Sequence, residues 1–286
     1  MILPFPADEA FLHPGFTEFP HEGVEVAFSA GPSHFHYLVS EVAGGKILLS
    51  QQASGIRDGF YSLATFFRWL SNVSQRNIPL ASVKGIVWKK EATLIPADLM
   101  TTDEDAEKWY SLTFGPVPEH HTLICPTHAI SGNRVVFPFP LMEYNRLQSI
   151  ASDILLTHPF SFRTPDPVNN TGQNPDPIID LMPSDRQMFV RVWKSGTLVL
   201  HNTFPAETTE EIRYFLAGIS RVAEAALKNH VFVYAGTDPD LMEKISRALT
   251  YFGATPSVVP LPPDKWPDAP AGFNRNLFAD ILQPVF

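Results

Sequence analysis

Residues 188–238 read MFVRVWKSGTLVLHNTFPAETTEEIRYFLAGISRVAEAALKNHVFVYAGTD, and this stretch decides the fold. Met188–Trp193 is apolar on both faces except at Arg191, as a strand covered on both sides is. Lys194-Ser195-Gly196-Thr197 has the small residues and the glycine of a tight hairpin. Leu198–Phe204 returns with alternating faces. Thr208 and Glu211 form a capping box. Ile212, Phe215, Leu216, Ile219, Val222 and Leu227 then give the inward stripe of a helix reaching about Lys228. His230–Tyr234 is a short buried strand, Ala235-Gly236-Thr237 breaks it, and Asp238-Pro239 opens another helix. That helix carries the stripe Leu241, Ile245, Leu249 and Phe252 and stops at Gly253, before a last strand at Val258–Leu261.

A blurrier copy lies upstream. Phe35–Val42 and Ile47–Gln52 are strand candidates joined by Ala43-Gly44-Gly45-Lys46, where paired glycines allow the positive φ of a two-residue turn. Leu63, Phe66, Phe67 and Leu70 mark a helix over about Tyr61–Gln75, and Val83–Lys89 is the next strand, continued by Ala92–Ile95. Asp103, Glu104, Asp105 and Glu107 suit a helix N-terminus. His121–Ala129 and Arg134–Phe139 read as strands, and Leu141–Leu155 as a helix ending near Thr157.

Prolines punctuate the rest. Residues 1–33 read as an arm, 34–157 as a first unit, 158–186 as a Pro-rich linker and 187–286 as a second unit, closing with a short helix at about Arg275–Leu282. The expected fold is therefore α/β with two tandem ribonuclease H-like subdomains, the actin-like ATPase architecture, and a cleft between the halves.

The totals narrow the function classes. With 44% hydrophobic and 18% charged residues the chain can bury a core. A net charge of -9 argues against nucleic acid as a partner, since a polyanion calls for a basic face. One cysteine, Cys125, permits no intrachain disulfide and fits a reducing, cytoplasmic setting. No apolar run approaches the length of a membrane span, so no membrane insertion is expected. Trp69, Trp88, Trp109 and Trp193 fall in core-like patterns, while Trp266, among prolines, is a candidate exposed residue for a protein partner.

The chain also resembles a bacterial family of unknown function whose members carry the actin-like ATPase fold. The matching segments are Val190–Trp193, Leu198–Phe204 and Thr209–Leu216, with further likeness at Val87–Met100 and Phe273–Phe278. The resemblance implies a fold and little chemistry. The wider superfamily holds nucleotide phosphates between two hairpin turns, one per half, that usually carry Asp with Gly, and takes adenosine on a third, glycine-bearing loop. The candidate first turn is Gly44-Gly45-Lys46, the second Lys194-Ser195-Gly196-Thr197, and the third loop Gly236-Thr237-Asp238. Neither turn contains Asp. Either Lys194 and the turn amides hold an anion directly, or these are hairpins and nothing more; hairpin chemistry alone accounts for their composition. The expectation is a degenerate cleft with ATP as the only candidate cofactor, hydrolysis absent or very slow, no catalytic residue and no resident metal. The function that follows is a non-catalytic scaffold for an unknown protein partner, with an ATP-binding switch as the alternative.

A third constellation is His120, His121, Cys125 and His128. On a helix His121 and Cys125 would share a face and suit zinc, but the Thr122–Ile124 pattern and Pro126 favour a strand, which sends alternate residues to opposite faces. A thiol enzyme at Cys125 is the distant alternative.

Overall fold

The computed structural model describes residues 9–13, 19–42, 46–54, 59–74, 79–126, 133–151, 154–162, 177–224, 227, 231–234, 238–259 and 281. Gly44, Gly45, His128, Gly236, Thr237, Trp266 and most of the Arg275–Leu282 helix lie outside them.

Two sheets repeat one plan. In the first half, β2 (Val24–Ala30), β3 (His34–Glu41) and β4 (Ile47–Ser54) form an antiparallel meander, with β1 (Glu9–Leu12) added at its edge. Helix α1 (Gly59–Ser74) then leads to β5 (Leu80–Val87), which runs parallel to β2, and β9 (Ile154–Thr157) runs parallel to β5. In the second half, β10 (Ile178–Ser184), β11 (Gln187–Lys194) and β12 (Thr197–Pro205) make the meander. Helix α4 (Thr209–Ala223), β13 (Val231–Tyr234), α5 (Pro239–Tyr251) and β14 (Ser257–Val259) follow, with β13 parallel to β10 and β14 parallel to β13. The orders β4-β3-β2-β5-β9 and β12-β11-β10-β13-β14 are the same topology twice.

Between β5 and β9 the first half carries an insertion. β6 (Thr93–Pro96), α2 (Asp103–Phe114), β7 (His121–Ile124) and β8 (Asn133–Pro140) make a small lobe with a three-stranded sheet, from which α3 (Leu141–Ile150) leads back to β9.

Five sequence expectations change. Val24–Ala30, assigned to an arm, is the central strand of the first sheet, and Ile178–Ser184, assigned to a linker, is the central strand of the second. Thr93–Pro96 leaves the strand before it and pairs with β8 in the small lobe. Ile154 and Leu155 belong to β9 rather than to the end of a helix. Trp109, expected in the core, is 38% exposed. No helix among the described residues is long and apolar enough to cross a membrane.

The first core is aromatic. Phe28, Phe35 and Tyr37 project from the sheet onto Phe66 and Phe67 of α1, with Tyr37 and Phe66 rings 4.5 Å apart. The second core is aliphatic, with Ile212, Leu216 and Ile219 of α4 and Leu241, Ile245 and Leu249 of α5 against Leu181, Val190 and Val233. The first core does not stop at the junction. Trp88 of the first half packs edge-on against Phe189 of β11 at 5.1 Å, and Met182 and Tyr234 of the second half join the same cluster.

Buried polar groups fasten the segment that passes from one half to the other. Arg191, fully buried in β11, donates to the carbonyls of Phe160 and Phe162, to the Asp180 carboxylate at 3.0 Å and to the Tyr234 hydroxyl. Trp193 Nε1 donates to the same Asp180 oxygen at 2.8 Å. Burial raises the Asp180 pKa against the pull of these donors. His158 is held from both sides: its Nε2 donates to the Lys89 carbonyl and its Nδ1 accepts the Phe160 amide. His201 Nε2 accepts the Leu94 amide and so ties β12 to β6.

Two predictions follow from this packing. Arg191→Ala strands a buried carboxylate and two carbonyls, and should cost roughly 3–5 kcal/mol in denaturant unfolding. The pair Asp180→Asn with Arg191→Met, which leaves no buried charge, should recover part of that loss. The second concerns pH. Burial holds His158 down at about 3 and His201 at about 4, below the ordinary histidine value, so both are neutral when folded. The unfolded chain takes up their protons below about pH 6.5, so the stability they contribute is present above that pH and lost as pH falls. Between pH 6.5 and 5 the loss approaches roughly 2 kcal/mol per histidine. A melting temperature that is flat over this range contradicts the assignment.

Candidate functional site

In each half the first hairpin turn, between the central strand and its antiparallel neighbour, lies at one end of the sheet. In the first half this is Gly31-Pro32-Ser33, between β2 and β3. In the second it is Asp185-Arg186, between β10 and β11. The two turns meet. The Asp185 carboxylate accepts the Ser33 backbone N–H at 2.9 Å, the Ser33 hydroxyl, and His34 Nδ1 at 2.9 Å. Ser184 Oγ also reaches Asp185 Oδ2, at 3.2 Å. Only 6% of the Asp185 side chain and 3% of the His34 side chain are exposed. Burial pushes the Asp185 carboxyl up, but attraction to His34 and the donors from His34 and Ser33 outweigh it and hold the pKa below the ordinary carboxylate value.

The backbone is shaped to make this contact. Asp185 and Arg186 both lie in the left-handed region, at φ 53 and φ 58. That is the geometry of a two-residue hairpin that Asn-Gly or Asp-Gly forms with least strain, and Arg at its second position is the less tolerant choice. Gly31 is required by space: a Cβ there would lie 2.1 Å from Asp185 Oδ2 and 2.4 Å from the His34 ring. The first turn of α1 is drawn in as well, because the Gly59 N–H donates to the Pro32 carbonyl, and a Cβ on Gly59 would lie 2.0 Å from the Gly31 oxygen.

Behind the contact lies a polar line. Ser29 Oγ is 3.3 Å from His34 Nε2 and accepts the Trp88 indole N–H at 2.9 Å. Ser29, His34 and Asp185 thus stand in the order of a nucleophile, base and orienting acid. Ser29 has no exposed surface and His34 is 2% exposed, so no substrate carbonyl reaches the hydroxyl. The line is a buried network joining two sheets.

Among the described residues singled out from sequence, all but Asp238 sit elsewhere. Lys46 and Lys194–Thr197 belong to the second hairpin of each half, at the opposite end of the sheet. Lys194 is roughly 23 Å along β11 from the Asp185 end. It pairs with Glu224 at 3.1 Å, and both side chains are largely exposed. Ser195 and Gly196, at φ 51 and φ 77, fill a two-residue hairpin whose geometry explains them. Asp238 does lie at the Asp185 end, because β13 runs parallel to β10; its carboxylate caps α5 by accepting the Leu241 amide at 3.0 Å. Neither of the two turns singled out from sequence holds Asp; the turn of the second half that meets the first half is a different one, Asp185-Arg186. The sequence signals for it were Gly31-Pro32 and Ser184-Asp185, both in segments set aside as arm and linker.

Of the histidine–cysteine patch, His121 and Cys125 line one pocket, and His128 lies outside the described residues. His121 lies on β7 and its ring N–H donates to the Glu119 carbonyl. Burial first, then nearby Asp103, pushes the Cys125 thiol up to about 11, which suppresses the thiolate. Among the described residues no group of three or more His, Cys, Asp or Glu side chains is placed to hold a metal.

The comparisons agree with this architecture. A Bacteroides thetaiotaomicron protein described as having an actin-like ATPase fold and unknown function superposes with a TM-score of 0.65 at 13% identity, over 84% of this chain and 91% of that one. The PilM-PilN type IV pilus biogenesis complex matches at a TM-score of 0.48 and 13% identity, over 83% and 88%. The ethanolamine utilization protein EutJ from Carboxydothermus hydrogenoformans matches at 0.41 and 12% identity, over 86% and 87%. At 13% identity the first of these likenesses shows the fold alone. No curated protein matches the chain. Residues 25–246 match the family described as "Protein of unknown function (DUF3822)", and the chain, an actin-like α/β protein, belongs to that family.

Proposed function

We propose that this chain is a non-catalytic cytoplasmic binding module that keeps the actin-like frame and has closed its phosphate position with its own carboxylate. The observation that carries this reading is the Asp185 side chain, buried and held by three donors from the facing turn. In the superfamily pattern those two turns face a nucleotide phosphate between them. Here an internal carboxylate takes the donors that a phosphate oxygen would use. The aromatic packing of Trp88 on Phe189 fills the interior just behind. We take the repeat units as starting at Val24 and Ile178, each with its central strand. A net charge of -9 fits a protein partner better than nucleic acid.

A second reading, an ATP-dependent switch, draws on two features. Asp238 and the N-terminus of α5 lie at the same end of the second sheet as Asp185. The closure is also made of few side chains, which a ligand with enough affinity could part.

Thermal melting with millimolar ATP and Mg²⁺ separates the readings. The binding-module reading expects no upward shift and no phosphate release. A ligand at 100 times its Kd adds about 2.7 kcal/mol, so a clear rise in melting temperature favours the switch. The closure itself makes a further prediction. Asp185→Ala leaves the Ser33 amide and His34 facing a gap and should lower unfolding free energy by roughly 2–4 kcal/mol. Asp185→Asn, which can still accept the Ser33 amide, should cost less. Equal stability in all three proteins contradicts the closure.

A further inference from the structure

One face of the second half is left bare by its own core. Val222, whose helical spacing assigns it to the interior, is 68% exposed, and Tyr214 is 75% exposed. Between α4 and β12 runs a largely apolar groove of about 450 Å³, with Leu200, Phe204, Tyr214, Gly218 and Val222 among its walls.

Two local features bear on what could cover this face. β12 is the outermost strand of its sheet, and among the described residues its backbone pairs with β11 alone. Its nine residues hold no Lys, Arg, Asp or Glu, and its one proline is the last of them. Edge strands are ordinarily guarded against further pairing by such charges. Gly218 lies inside α4, where glycine weakens a helix. A Cβ built there meets nothing within 4 Å, so the chain's own packing does not call for the missing side chain. A surface laid close against the helix does.

We propose that the occupant is a second copy of this chain, related by a two-fold axis perpendicular to the five-stranded sheet. β12 then pairs antiparallel with its counterpart, and α4 packs antiparallel on the partner's α4. The face is self-complementary in that register. With the axis between Phe215 and Leu216, Glu210 falls opposite the partner's Arg221, and Tyr214 falls opposite the partner's Ala217. An isologous contact repeats each pairing twice, so an acid–base pair closes each end of the helix contact and a large side chain meets a small one in the middle. Glu210 is free to take that role: its contact with Arg213 is 3.8 Å long and its side chain is 78% exposed. Arg221 is exposed on the groove wall.

Sedimentation equilibrium of the full chain, from about 1 to about 100 µM, tests this. The wild type should be a dimer. Arg221→Glu and Glu210→Arg each place like charges at both ends, and each should raise the dimer dissociation constant by at least about tenfold. The double charge swap should restore it, since the pairs re-form with signs exchanged. Both substituted positions are exposed, and circular dichroism melts check that each of the three variants folds. A wild-type monomer at the highest concentration overturns the proposal and leaves the groove to an extended segment of another protein. A dimer indifferent to the single variants, or a double variant no better than either single one, overturns the register.

Discussion

The carboxylate of Asp185 is the constraint on which the rest of the site depends. It sits at the tip of the second half's first hairpin and is bound by the tip of the first half's. Several local sacrifices make sense only through it. Asp185 and Arg186 accept left-handed backbone, which costs roughly 1–2 kcal/mol per non-glycine residue. Gly31 gives up its side chain so that the carboxylate can approach. Charge-assisted hydrogen bonds in a dry setting are about twice as strong as neutral ones, which is enough to hold such a turn. The outcome is that two sheets of the same strand order are joined at their facing hairpin turns.

The second tie lies deeper. Arg191 spans the second sheet's central strands and holds the crossing segment at Phe160 and Phe162. A fully buried ion pair adds little net stability over an apolar core, because desolvation offsets attraction. Its effect is on geometry: the two terminal nitrogens of a rigid fork reach Asp180 Oδ2, Tyr234 and two carbonyls together in one arrangement. Aromatic packing then supplies the energy, and Trp88, Phe160, Phe162 and Phe189 make the junction continuous with the first core. The halves are therefore fixed by polar groups and cemented by apolar ones.

Much of the fold was legible in the sequence because period and punctuation coincide with it. The capping box at Thr208 and Glu211, the Asp238-Pro239 start and the hairpin at Ser195-Gly196 are all local, and all appear as read. What escaped were the two central strands. Ile178–Ser184 is buried on both faces, yet it contains Asp180 and Pro183 and follows a run of prolines, so neither alternation nor an uninterrupted apolar run marks it. Pro183 is tolerated near the hairpin end, where it pairs with Met188. Val24–Ala30 follows Pro20 and Gly23, in a stretch rich in Pro, Phe and Gly. Without the first strand of each half the second hairpin reads as the first, so the sequence singles out Lys46 and Lys194–Thr197, at the end of the sheets opposite Asp185. The partnership of Ser33 with Asp185 spans 152 residues and leaves no trace in a single sequence.

The most direct test of the closure is at the Ser33 amide. If Asp185 holds the phosphate position, that N–H stays protected from hydrogen exchange, and its NMR resonance does not move when ATP and Mg²⁺ are added to millimolar levels. A Ser33 resonance that shifts along a saturable curve with ATP, with its protection changed as the carboxylate is displaced, would contradict the account.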